Sequence, residues 1–294
     1  MRIRKGATAG MASRILRALV IVSTVIQTAS AIPSSKIASD TGCDRTALLA
    51  VADAYVAAQI AGTLDSLKSV LAANWTYQEN NKEADASKSV LSKALKIDHR
   101  QTNVDTTFCA TYTELIIANS ANPYVIGTQI HHNPADTKVK LIDSIVSTTN
   151  SWLFDAKKTL QHVLEEKWDL IPEGKRDSRA VIQVAGDAYM DMWSNSTSAD
   201  AVPWGTPCTR LEGSQYTGKG KPDDSCKPGI PSNHNQKPNV DRRYVVDESM
   251  GSVSIFCVWE HMMNASDSHE FRLEGGKLRF VHTMTVCGGQ VCKL

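Results

Sequence analysis

"SRAVIQVAGDAYMDMW", Ser178 to Trp193, decides the architecture because it repeats an earlier stretch. "DRTALLAVADAYVAAQ", Asp44 to Gln59, aligns with it at an offset of 134 residues, matching Arg45 to Arg179 and Asp53-Ala54-Tyr55 to Asp187-Ala188-Tyr189. Apolar residues recur at helical spacing in both, at Leu48, Val51 and Tyr55, then at Ile182, Ala185 and Tyr189. The chain therefore reads as an internal duplication in which each copy opens with an amphipathic helix.

Strand signals follow each helix. In the first copy they run through "NWTYQEN", a short helix in "ASKSVLSKAL", a strand in "DTTFCATYTELIIA", and two more in "PYVIGTQIHHNPADTKVKLIDSIVST". The second copy has "VPWGTPCTRLEG", a Gly/Pro/Asn/Lys-rich loop over 214–239 expected to be exposed and mobile, "RRYVVDE", "SVSIFCVW", and the hairpin "DSHEFRLEGGKLRFVHTMTV". Gly275-Gly276 supplies the tight turn of that hairpin. Regular alternation then opposes Phe271 to Phe280 and His269 to His282. One face becomes His269, Phe271, Leu273, Leu278, Phe280, His282 and Met284, turned to a core. The other becomes Glu270, Arg272, Glu274, Lys277, Arg279 and Thr283, turned to water.

Helix-first units closed by antiparallel strands imply an α+β fold. The arrangement resembles the NTF2-like (SnoaL-like) cone, in two tandem copies, each an opening helix packed on a curved antiparallel sheet. "KRDSRAVIQVAGDAYMDMW", "VPWGTPCTRLEG" and "SHEFRLEGGKLRFVHTM" also resemble a family of secreted fungal proteins carrying a domain of unknown function. That resemblance covers most of the chain after residue 42. It implies a fold and an address, and no reaction. In NTF2-like enzymes ligands sit inside the sheet under the first helix, where a tyrosine, a strand acid or base and a histidine do proton chemistry. The units are expected at 43–160 and 177–294, joined by a linker at 161–176.

Arg2, Arg4, Lys5, Arg14 and Arg17 lead into "ALVIVSTVIQTASA", a secretory signal over residues 1–31 with Ala29-Ser30-Ala31 as the cleavage site and Met1 or Met11 as the start. Removing it leaves 27 Lys and Arg against 31 Asp and Glu, a net charge of −4, with no electrostatic footprint for nucleic acid. No second spanning run follows, so no membrane partner is expected. Sequons at Asn74, Asn195 and Asn264 suit an exported glycoprotein. Seven cysteines in an oxidising compartment favour disulfides. Cys43–Cys109, Cys208–Cys226 and Cys287–Cys292 are the expected pairs, with Cys257 a buried thiol, although sequence does not fix connectivity.

Chemistry is expected where Tyr189 meets His269 and His282. Tyrosine polarises an oxygen and histidine moves protons near neutral pH. A satisfied core tyrosine and rim histidines are the plainer reading. Asp98 beside His99 is a second candidate, against a reading as loop polars. Asp143 is a third, with Leu141 and Ile145 on its face, against a paired structural acid. Tyr77 and Glu79 share a strand face and line the same space.

Other signals fall away. "GSQYTGKG" (213–220) mimics a phosphate loop but places Gly220 where a hydroxyl is needed. His131-His132 point to opposite faces. His269 and His282 lack a third metal ligand. G-x-S-x-G and H-E-x-x-H are missing, and no carboxylate pair stands out for glycoside hydrolysis. Trp152, Trp204 and Trp259 read as scattered core rather than a sugar platform. The expectation is a secreted protein handling a small apolar or aromatic metabolite, as a cofactor-free cyclase, isomerase or (de)hydratase, and a homodimer is allowed. The alternative is a non-catalytic secreted binding or interaction protein.

Overall fold

The computed structural model describes residues 43–293; the expected signal peptide lies outside the described residues. Helix α1 (Arg45–Ala61) starts at Asp44, whose carboxylate accepts from the Thr46 and Ala47 amides. It ends at Gly62, whose positive φ of 67° allows its N–H to reach Ala58 O. Strands β1 (Leu71–Glu79), β2 (Lys82–Glu83), β3 (His99–Asp105), β4 (Ala110–Ile117), β5 (Tyr124–His132) and β6 (Val139–Ser147) follow. After α2 (Ala156–Val163) the order repeats with α3 (Arg179–Asp191), a short α4 (Ser196–Ala201) and β7 (Trp204–Glu212). The second sheet is completed by β8 (Gln215–Tyr216), β9 (Asn239–Asp247), β10 (Ser252–Trp259), β11 (Ala265–Glu274) and β12 (Lys277–Val286).

The two six-stranded sheets have the same order, β2-β1-β6-β5-β4-β3 and β8-β7-β12-β11-β10-β9. This is two tandem α+β units. Neither sheet is wholly antiparallel as expected. β1 runs parallel to β6 and β7 parallel to β12, because each first strand is reached from a helix rather than through a hairpin. The expected helix over "ASKSVLSKAL" is two 3-10 turns, Ala86–Lys88 and Val90–Ser92. Ser89 lies between them in extended conformation, and its hydroxyl bonds Ala86 O and the Leu91 amide instead.

The terminal hairpin departs most from expectation. Gly275 and Gly276 make the turn with φ of 61° and 72°, and Glu274 pairs with Lys277 and Leu273 with Leu278. Arg279 is then bulged, so Arg272 pairs with Phe280, Glu270 with His282 and His269 with Thr283. One extra residue moves everything beyond it to the other face. Leu278 and Val281 pack under α3, whereas Met284 packs on the opposite face of the sheet. His269 and His282 are therefore not opposed.

The face assigned to water stays exposed at Glu274 and Lys277, beside the turn, and is covered further along. Glu270 is fully buried, and Arg272 and Thr283 are 3% exposed. A second core, with Tyr112, Ile116, Val125 and Ile145 from one sheet and Val245, Phe256 and Met284 from the other, joins the sheets through the faces their opening helices leave free. Two further large cores lie under α1 and α3. The loop expected to be mobile is tied down. Cys226 is bonded to Cys208, Asp224 accepts from the Lys219 and Lys221 amides, and Gln236 accepts from Trp259 Nε1.

Candidate functional site

Beneath α3 the structure brings Tyr189 and His269 together, with ring centroids 5.6 Å apart. It excludes His282, which the Arg279 bulge carries to the inter-sheet face. The neighbours of Tyr189 are instead Arg210 and Glu212 of β7, which the sequence reading had passed over. Burial pushes the Tyr189 phenol up, and the Arg210 guanidinium opposes that. Arg210 Nη1 donates to Glu212 Oε2 at 2.6 Å, Nε to Cys226 O at 3.1 Å and Nη2 to Pro228 O at 2.5 Å.

A cavity of about 260 Å³ opens beside this ion pair, walled by Trp152, Trp193, Trp259 and Tyr216, with Arg210 and Glu212 among its lining. Two of the tryptophans read as scattered core therefore gather with Trp193 around one opening, while Trp204 packs on Tyr189 at 5.8 Å. Tyr189 and His269 do not line this cavity; Tyr189 lies behind Arg210 and Glu212, which do. What lies there is unusually polar. The Tyr189 hydroxyl, the Thr283 hydroxyl and both His269 ring nitrogens are buried without a hydrogen bond. His269 Nδ1 is 2.8 Å from Asp267 Oδ2 but not aligned for a bond. Asp267 already accepts from Thr285 Oγ1 at 2.7 Å and the Cys257 thiol at 3.4 Å.

The first unit supplies an internal control. Ser144 pairs with Thr128 and Glu79, as Thr283 pairs with His269 and Glu212. Register thus equates Thr128 with His269, Glu79 with Glu212 and Tyr77 with Arg210, and the helices equate Tyr55 with Tyr189. In the first unit every group is served. Tyr55 Oη lies 2.7 Å from Thr128 Oγ1, which lies 2.9 Å from Ser144 Oγ, and Tyr77 donates to Glu79 at 2.8 Å. The same scaffold closes its polar ring in one copy and leaves it open in the other.

The remaining candidates lie between the sheets. His282 Nε2 is 2.8 Å from Glu166 Oε2, and its Nδ1 is 3.4 Å from Glu114 Oε2. Burial disfavours the imidazolium, but the Glu166 and Glu114 carboxylates hold His282 well above its ordinary value. Burial and the Glu114 charge push Glu270 up to about 7. His99 begins β3 rather than lying in a loop. Its pKa is lowered by burial, with Glu114 opposing. Asp98 accepts from the Ala118 amide and does not orient it. Asp143 bonds Arg243 Nε at 2.6 Å, so its carboxylate pairs across the sheets; burial raises its pKa against that arginine. The three disulfides are Cys43–Cys109, Cys208–Cys226 and Cys287–Cys292, with Cys257 a buried free thiol. Asn74, Asn195 and Asn264 are exposed.

Comparison with known proteins adds little. A family model described as "Domain of unknown function (DUF8021)" matches residues 175–285, the second unit. No curated protein matches the chain. Among solved structures, an NTF2-like protein from Bacteroides fragilis aligns at 9% identity over 78% of this chain and 94% of its own, with a TM-score of 0.20. At that score the likeness carries no structural argument.

Proposed function

We propose that the second unit binds a small ring compound bearing a hydroxyl or carbonyl oxygen, and that the first unit serves as scaffold. The observation that carries this reading is the contrast at Tyr189. Its hydroxyl, His269 Nε2 and the Thr283 hydroxyl are buried without an aligned hydrogen bond, where Tyr55, Thr128 and Ser144 bond one another. Buried polar groups are rarely left so without a role. The aromatic walls at the adjoining opening suit a flat or sugar-like ring, and the neutralised Arg210–Glu212 pair suits an uncharged one. Each unit is read here as an NTF2-like cone, on its helix laid across a mixed sheet. Three disulfides favour an oxidising compartment and hence export, and a mobility shift on endoglycosidase treatment tests for glycans at the three asparagines.

Saturation-transfer NMR against 2-naphthol, 4-hydroxycoumarin, glucose and cellobiose tests the site. One ring class is expected to bind, with Trp152→Ala and Trp193→Ala, both at the cavity wall, each weakening it about tenfold. Binding unchanged in both variants, or no binding by any of the four, ends the reading. Catalysis is the second reading, favoured by Asp267 lying 2.8 Å from His269 Nδ1. It requires turnover of the bound ring that His269→Asn abolishes.

A further inference from the structure

Glu114 on β4, Glu270 on β11 and His282 on β12 meet in the seam between the sheets, with ligand atoms all within 4.8 Å of one another. We propose that these three side chains bind a divalent transition cation, best zinc, and that the ion fastens the first copy's sheet to the second's. Each ligand has an atom without an aligned hydrogen bond, and Glu270 and His282 each have the other atom held. Glu270 Oε1 accepts from Asn103 Nδ2 at 2.5 Å, Ser252 Oγ at 3.0 Å and Gln101 Nε2 at 3.1 Å, and its Oε2 has no partner. His282 gives Nε2 to Glu166, and its Nδ1 stands 3.4 Å from Glu114 Oε2 without an aligned hydrogen bond. Glu114 Oε1 has none either. The three residues are 0–3% exposed, so water does not serve those atoms from outside.

The spacing and donor chemistry agree. Two ligands about 2.1 Å from one tetrahedral zinc stand roughly 3.4 Å apart. Glu114 Oε2 and His282 Nδ1 are 3.4 Å apart. One imidazole nitrogen with two carboxylates suits zinc or manganese and not a thiolate-seeking ion. Glu166 on the far nitrogen of His282 is the outer carboxylate that metal-bound imidazoles ordinarily carry, fixing the ring and its tautomer. Charge points the same way, since three carboxylates converge on a single imidazole. All three ligands are buried between the sheets, closed to a substrate from solvent, which suits a structural ion.

The test is zinc content by plasma mass spectrometry of the full chain produced in zinc-supplemented medium, with cobalt substitution as a second probe. The expected result is one zinc per chain, a visible cobalt absorption band, and loss of both in His282→Asn and Glu270→Gln. Glu166→Gln is expected to weaken binding about 10- to 100-fold, and exposed Glu83→Gln not at all. Should His282→Asn fail to fold, Glu270→Gln decides, since the amide keeps the shape of the side chain. A folded, metal-free wild type whose melting point added zinc does not move overturns the proposal. So does zinc retained undiminished in Glu270→Gln. Because Tyr189 and His269 lie on the opposite face of the second sheet, neither result bears on ring binding.

Discussion

The first and second units share a strand order and an opening-helix tyrosine, yet treat that tyrosine oppositely. Tyr55 ends a chain of hydroxyls, Tyr55–Thr128–Ser144, in which each oxygen has a neighbour. Tyr189 sits beside an imidazole and beside a guanidinium whose close bonds go to Glu212, Cys226 and Pro228, and no chain of hydroxyls closes around it. Duplication frees one copy to keep the fold's internal bonds while the other gives them up. The difference teaches where to look: a buried group left unserved in only one of two equivalent sites is a stronger sign of function than the same group seen once.

The sharpest way to break this contrast is at the partners of the paired glutamates. Arg210→Met leaves Glu212 charged, buried and unpaired, and is expected to cost about 3–5 kcal/mol in urea unfolding. Tyr77→Phe at the equivalent place is expected to cost about 1 kcal/mol, because Glu79 still accepts from the Val90 amide. Equal losses would mean that the two sites hold their glutamates alike and that the contrast fails there.

Acid should separate the units next. Burial pushes His131 down to about 4, with Lys140 and Arg243 adding to it. A folded value below the unfolded one near 6.5 means that the unfolded chain takes up the proton first. Stability is thus full above pH 6.5 and falls by up to about 3 kcal/mol as pH drops towards 4. Register places Arg272, charged throughout, at the equivalent position of the second sheet. Hydrogen exchange between pH 7 and 4.5 should therefore loosen the first sheet before the second, and His131→Asn should flatten the slope.

The smallest effect sharpens the central claim. Tyr55→Phe removes a satisfied hydrogen bond and is expected to cost about 1 kcal/mol, whereas Tyr189→Phe removes an unsatisfied hydroxyl and should change stability by less than about 0.5 kcal/mol. A clear loss in Tyr189→Phe alone would show that its hydroxyl is served after all.

The duplication was legible because both helices carry the Asp-Ala-Tyr triplet at matching helical spacing. The Gly-Gly turn and the alternation around it were legible too. The bulge was not. A lone basic residue between large apolar ones reads as perfect alternation, both in Leu278-Arg279-Phe280 and in Val139-Lys140-Leu141, where the first unit has the same shift. Comparing the copies would not have exposed it, since both carry it. Glu114, Glu166 and Glu270 were missed because polar alternation implies solvent unless another sheet covers it. Arg210 and Glu212 share a strand face two residues apart, and only their equivalence to Tyr77 and Glu79 marks them. Trp193 was hidden at the end of a helix motif.

Each disulfide closes within one half of the chain, at Cys43–Cys109, Cys208–Cys226 and Cys287–Cys292. No covalent bridge backs up the peptide that runs from α2 to α3. A protease that nicks this connector would leave the two fragments adhering through noncovalent contacts alone, among them the main-chain bonds from Trp152 to Thr285 and from Ser214 to Leu153. Non-reducing electrophoresis would separate them while size exclusion in native buffer would not, and the denaturant needed to part them would measure directly what the seam contributes.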